Sequence, residues 1–91
     1  MKYDIVPSDK FREDALKLYK SEPQAYKKLQ KFVAELEVHP RTGTGHPEQL
    51  KHYKEETWSR QITRKHRLVY EIHDEEILVI ALAAYGHYED K

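Results

Sequence analysis

Ninety-one residues can bury one hydrophobic core and no more, and 38% apolar against 35% charged side chains make that core thin and the surface thickly charged. The lack of cysteine excludes a disulfide framework and a thiolate metal site; the opening residues lack the apolar stretch of a leader, and residues 77–84, the longest apolar run, are far short of the roughly 20 that span a bilayer. Sixteen basic and sixteen acidic side chains cancel overall, yet residues 41–70 hold seven basic against three acidic and residues 71–91 one against six, so a basic patch suited to phosphate precedes an acidic end.

One domain over residues 1–91, in a reducing cytoplasm, is the expectation. In chain order, Tyr3-Asp4-Ile5-Val6 reads as a short strand from its aromatic and β-branched content, and Pro7-Ser8 stops it. Ser8 can cap a helix whose apolar stripe is Phe11, Ala15, Leu18 and Tyr19. Ser21-Glu22-Pro23-Gln24 has the spacing of a capping box with proline in the first turn. A second helix is predicted from there, with a stripe of Tyr26, Leu29, Phe32, Val33 and Leu36 and an end near His39-Pro40.

Residues 41–46 form a loop holding two of the three glycines. A phosphate-cradling loop would need more specific spacing and a following helix, so a plain connector is expected. Residues 58–63, 66–73 and 76–84 read as strands separated by the polar turns Arg64-Lys65 and Asp74-Glu75, an antiparallel meander, with residues 48–51 as a short edge strand before it. Residues 77–82 are apolar on both alternating faces, which marks a central strand covered on one side by the helices. The expected class is α+β, in the order β-α-α-β-β-β-β, with a two-helix hairpin packed on one face of a twisted, mainly antiparallel sheet.

Strand alternation puts Trp58, Arg60 and Ile62 on one face, and Arg67, Val69 and Glu71 opposite Leu68, Tyr70 and Ile72. The short turn between these strands makes Arg60 and Arg67 expected neighbours, and two guanidinium groups repel unless an anionic ligand or a carboxylate lies between them. Glu48 is the nearest preceding candidate carboxylate. The six histidines have no metal-binding spacing, so no metal site is expected and most of them read as surface residues. His87 stands apart, because it follows the central strand where a side chain can reach across the sheet.

The succession Pro47-Glu48-Gln49-Leu50-Lys51-His52, Trp58-Ser59-Arg60-Gln61-Ile62-Thr63, His66-Arg67-Leu68-Val69-Tyr70 and a closing His87-Tyr88 resembles the YoeB (Txe) branch of the RelE-like messenger-RNA interferases. It spans about half the chain, and the two helices precede it where that family places them. The resemblance implies a RelE-like, microbial-ribonuclease-like fold and a toxin of a type II toxin–antitoxin system: a ribosome-dependent endoribonuclease acting on mRNA in the decoding site. It implies Glu48 as general base, His87 as general acid and Arg67 as stabiliser of the transition-state phosphate, with Lys51, Arg60 and Tyr88 as substrate-binding residues and neither metal nor cofactor. The implied partners are mRNA, the ribosome, a second copy of the chain and a YefM-like antitoxin whose acidic, apolar tail folds over the Arg60/Arg67 face; operator DNA is met only through the toxin–antitoxin complex, and no membrane is involved.

The chain departs from the family pattern where Tyr85 and Gly86 replace a favoured arginine and tyrosine, and it continues past His87-Tyr88 with Glu89-Asp90-Lys91. The change at Tyr85 and Gly86 touches cleavage preference rather than chemistry, and the extension puts two acids beside the proposed site, where they would weaken RNA binding. The alternative reading is a non-catalytic, ParE-like inhibitor of DNA gyrase on the same fold, against which the Glu48 and His87 pair argues. A bare DNA-binding module is disfavoured by the near-zero net charge.

Overall fold

A computed structural model describes residues 2–86. The elements run β1 (Asp4–Pro7), α1 (Asp9–Ser21), α2 (Pro23–Leu36), β2 (Glu48–Leu50), β3 (Thr57–Gln61), β4 (Arg67–His73) and β5 (Leu78–Ala83). The element order is the one predicted, with the predicted boundaries met to within about three residues.

Ser8 caps α1 as expected: its backbone is extended and its Oγ accepts the Phe11 N–H at 3.0 Å. The same hydroxyl donates to the Leu82 carbonyl at 3.0 Å, which ties the helix start to β5. The capping box at Ser21 does not form. Ser21 completes the last turn of α1 and its hydroxyl donates to the Lys17 carbonyl, while Glu22 becomes the N-cap of α2 without a side-chain capping bond. Pro23 sits in the first turn, where its missing N–H costs nothing. Helix α2 ends at Leu36 rather than near His39, because residues 39–44 leave the helix to surround a buried arginine.

The five strands lie in the order β1-β5-β4-β3-β2, so β4 is the middle strand and β5 is its interior neighbour. All pairs are antiparallel except β1 with β5, which is parallel and is joined through both helices and the other three strands. The last turn is longer than the predicted Asp74-Glu75 pair: it includes Ile77 at φ 53°, and β5 starts at Leu78. Leu68, Tyr70 and Ile72 of β4 and Val79 and Ala81 of β5 pack with Ile62 against Leu18, Leu29, Phe32 and Leu36 of the helices. The helices thus cover one face of the sheet. Among the described residues no helix is long and apolar enough to cross a membrane.

Candidate active site

Registry decides which side chains share the uncovered face of the sheet. Glu48 pairs with Ser59, Ser59 with Val69, and Gln61 with Arg67, so Glu48, Ser59 and Arg67 all project from the face away from the helices. The Arg67 guanidinium reaches across β3 toward Glu48. Its Nη1 lies 3.9 Å from Glu48 Oε1 and 3.4 Å from the Ser59 hydroxyl. The Arg67 side chain keeps 29% of its surface exposed and Glu48 keeps 68%. A pair this long and this wet contributes about 1 kcal/mol or less, so neither group is locked to the other. A carboxylate able to take a proton and a cation able to hold an anion therefore stand together, open to solvent. Lys51 follows β2 directly and is exposed. His87 and Tyr88 lie outside the described residues.

Arg60 does not belong to this face. It pairs with Leu68 on the helix side and is completely buried. Its Nε donates to the Tyr70 hydroxyl at 3.2 Å, Nη1 to Glu35 Oε1 at 2.6 Å and the Thr44 carbonyl at 3.2 Å, and Nη2 to the carbonyls of His39 and Thr42 at 2.7 and 2.9 Å. Five N–H donors meet five acceptors, so no donor is left for a substrate phosphate. The expected Arg60/Arg67 neighbourhood is thus corrected: one guanidinium points into the core and the other away from it.

The Arg60 knot also shapes the connector. Tyr70 donates to the Pro40 carbonyl at 2.7 Å, and Glu35 receives both the hydroxyl and the backbone N–H of Thr44. The Thr44 hydroxyl, with Arg60 adding to it, holds the Glu35 carboxyl below the ordinary glutamate range. A Cβ at Gly45, where φ is 84°, would collide with the Phe32 ring, so the glycine there serves close packing rather than phosphate.

Three of the five described histidines lie at the surface, as expected, and two do not. His39, His46 and His52 are exposed, but His66 is 2% exposed and its Nε2 lies 2.7 Å from Glu22 Oε2. His73 is partly buried among Glu71, Glu55 and Glu76, and the bond to Glu71 raises its pKa.

Residues 8–88 match the family model described as the YoeB-like toxin of bacterial type II toxin–antitoxin systems. The chain belongs to that family. It is 34% identical over 77 residues to toxin YoeB of Escherichia coli strain K12, an alignment covering 85% of this chain and 92% of the relative. The fold is similar to that of the YoeB/ParE toxin from Agrobacterium tumefaciens, with a TM-score of 0.85, 25% identity, and 93% and 99% of the two chains covered. It is similar too to YoeB of Staphylococcus aureus, solved as a dimer (TM-score 0.82, 25% identity, 97% and 100% covered) and in a heterotetrameric complex with YefM (TM-score 0.79, 26% identity, 97% and 100% covered). As a YoeB toxin, the chain is the toxin component of a type II toxin–antitoxin system, in a family of ribosome-dependent mRNA interferases. Membership of the YoeB family does not favour the gyrase alternative.

Proposed function

We propose that this YoeB-family toxin cuts mRNA in the ribosomal decoding site without a metal, with Glu48 as general base, Arg67 as phosphate stabiliser and His87 as general acid. The observation that supports it is the meeting of Glu48 and Arg67, from two strands separated by β3, on the uncovered face of the sheet. RNA supplies its own nucleophile. Glu48 takes the proton of the 2′-hydroxyl as its oxygen attacks the adjacent phosphorus, and His87 gives a proton to the departing 5′-oxygen, leaving a 2′,3′-cyclic phosphate and a 5′-hydroxyl. Arg67 reaches Glu48 and Ser59 through Nη1, and a guanidinium can hold a phosphorane in a bidentate fork. In the same reading Lys51 serves as a further cation for the RNA backbone, and Tyr88 as a ring on which a base can stack.

The same reading places the toxin in the cytoplasm, as a homodimer, held by a YefM-like antitoxin whose tail covers the Arg67 face and meets operator DNA only in complex. The test is cleavage of mRNA on programmed ribosomes. Glu48→Gln and His87→Gln should each lower the single-turnover rate by about 10²- to 10⁴-fold with antitoxin binding retained, Arg67→Ala should lower it by about 10²- to 10³-fold, and a 2′-deoxynucleotide at the scissile position should block cutting. A His87→Gln toxin as fast as the wild type would remove the acid from the mechanism.

A further inference from the structure

Where β5 ends, three consecutive backbone N–H groups are held by side chains from elsewhere in the chain. The N–H groups of Ala84 and Tyr85 donate to Asp14 Oδ2 at 2.9 and 3.3 Å, and that of Gly86 donates to His66 Nδ1 at 2.8 Å. The Gly86 carbonyl in turn accepts the N–H of Arg67 at 3.1 Å. Gly86 has φ 76°, a conformation that favours glycine, and among the described residues nothing lies within 4 Å of where a Cβ would stand. Backbone direction, not space, is what that glycine provides.

Both holders are costly. Asp14 is 2% exposed on the buried side of α1, beside Phe11 and Leu18, a position where an apolar residue would need no compensation. Lys10, one turn earlier, supplies its counter-charge at 3.1 Å. His66 is equally buried, and because Nδ1 accepts from Gly86 its proton sits on Nε2, which donates to Glu22. The tautomer and ring orientation are therefore fixed from both ends, and the ring lies 4.4 Å from that of Tyr85. Neither side chain has a part in the proton transfers proposed above.

We infer that Asp14 and His66, the latter backed by Glu22, clamp residues 84–86 and so position the backbone entering His87 relative to Arg67, making them positioning residues for cleavage. The inference rests on the assignment of His87 as the acid. Residue 66 precedes Arg67 in the chain and holds the N–H of Gly86, while the Arg67 N–H holds its carbonyl, so the phosphate-binding strand and the acid-bearing segment share one hydrogen-bonded frame. A displacement of about 1 Å at a reacting group costs on the order of 10²-fold in rate.

The experiment measures single-turnover cleavage and half-saturating ribosome concentration for the full chain. His66→Leu should slow cleavage by about 10- to 100-fold with half-saturation unchanged. His66→Asn, whose Oδ1 can replace Nδ1 as acceptor, should recover most of the rate. In the His87→Gln background, His66→Leu should cause no further loss, because a clamp acts only through the acid it positions. If His66→Leu does not fold, Asp14→Ala, which removes the acceptor that holds the same segment from α1, should give the same rate loss and the same non-additivity. A folded His66→Leu or Asp14→Ala toxin with wild-type cleavage, no rescue by His66→Asn, or losses that multiply with His87→Gln would each overturn the clamp while leaving the acid assignment standing. Full activity in His87→Gln alone would instead overturn the assignment on which the clamp depends.

Discussion

Arg60 and Arg67 stand in paired strands, yet their surroundings give them opposite work. The Arg60 guanidinium has exchanged water for five protein acceptors, three of them carbonyls of the connector, and so welds residues 39–44 to the sheet. Arg60→Met should lower unfolding free energy by about 3 kcal/mol, the lower end for breaking a buried pair because the Glu35 side chain keeps 23% of its exposure. Arg60→Lys should restore little, since one ammonium cannot meet acceptors spread around a planar fork. Urea titration reads both, and cleavage at a permissive temperature with unchanged ribosome affinity would separate this role from substrate binding. The sequence carried the sign of this: Trp58, Arg60 and Ile62 share a face, and two of the three are apolar. What it lacked was the set of acceptors, which come from a loop whose path no local pattern dictates. Glu48 and Arg67, by contrast, were legible as a pair of residue types, though their approach depends on the β2–β3 and β3–β4 registers.

At the level of elements, the two serines that resemble helix caps are a test of how far local patterns reach. Ser8 caps α1 and also anchors it to Leu82, so Ser8→Ala should cost about 1 to 2 kcal/mol. Ser21→Ala, at a residue whose hydroxyl only returns to its own helix, should stay within about 0.5 kcal/mol. Thermal or denaturant melting of the two variants checks the contrast; equal losses would contradict the assigned caps. Apolar periodicity located both helices, because the 3.6-residue period is imposed by burial on one side, whereas the strands were read from β-branched and apolar runs between polar turns. Neither could locate their ends, since Ser21 serves α1 rather than α2 and Ile77 adopts a left-handed turn before β5. The parallel pairing of β1 with β5 leaves no local trace at all, because its two partners lie at opposite ends of the sequence.

Across the whole molecule, charged side chains join elements that the core does not. Arg41 bonds Glu56 through two donors and Asp74 through a third, while Tyr3 donates to Asp74 and Trp58 to Glu56. Three carboxyls are thereby held below their ordinary range: Glu35 by Thr44 and Arg60, Glu56 chiefly by Arg41, and Asp74 by Tyr3 and then Arg41. A depressed folded-state pKa stabilises above the unfolded value and is lost as pH falls through the folded one, so these groups should weaken the fold progressively below about pH 4.5. His73 has the opposite sign. Its pKa is raised, first by Glu71, so its stabilisation is complete below the unfolded value of 6.5 and fades as pH rises through the raised one. Denaturant midpoints across pH should therefore fall on the acid side in the wild type, with a smaller fall in Glu35→Gln. His73→Gln should remove a decline above pH 6.5, and a profile flat on both sides would refute the assignment.

The parallel ribbon of β1 and β5 also sets when this toxin can come into being. The first strand must wait for residues 78–83, and the cap at Ser8 and the carboxylate at Asp14 find their distant partners only at Leu82, Ala84 and Tyr85. Pairings between segments so far apart form late and slowly, so a chain still being translated holds two helices and a hairpin with no partner for its opening strand. The sheet cannot close until residues 78–83 have been made and released from the ribosome, so the folded toxin forms only after that segment is available to its opening strand.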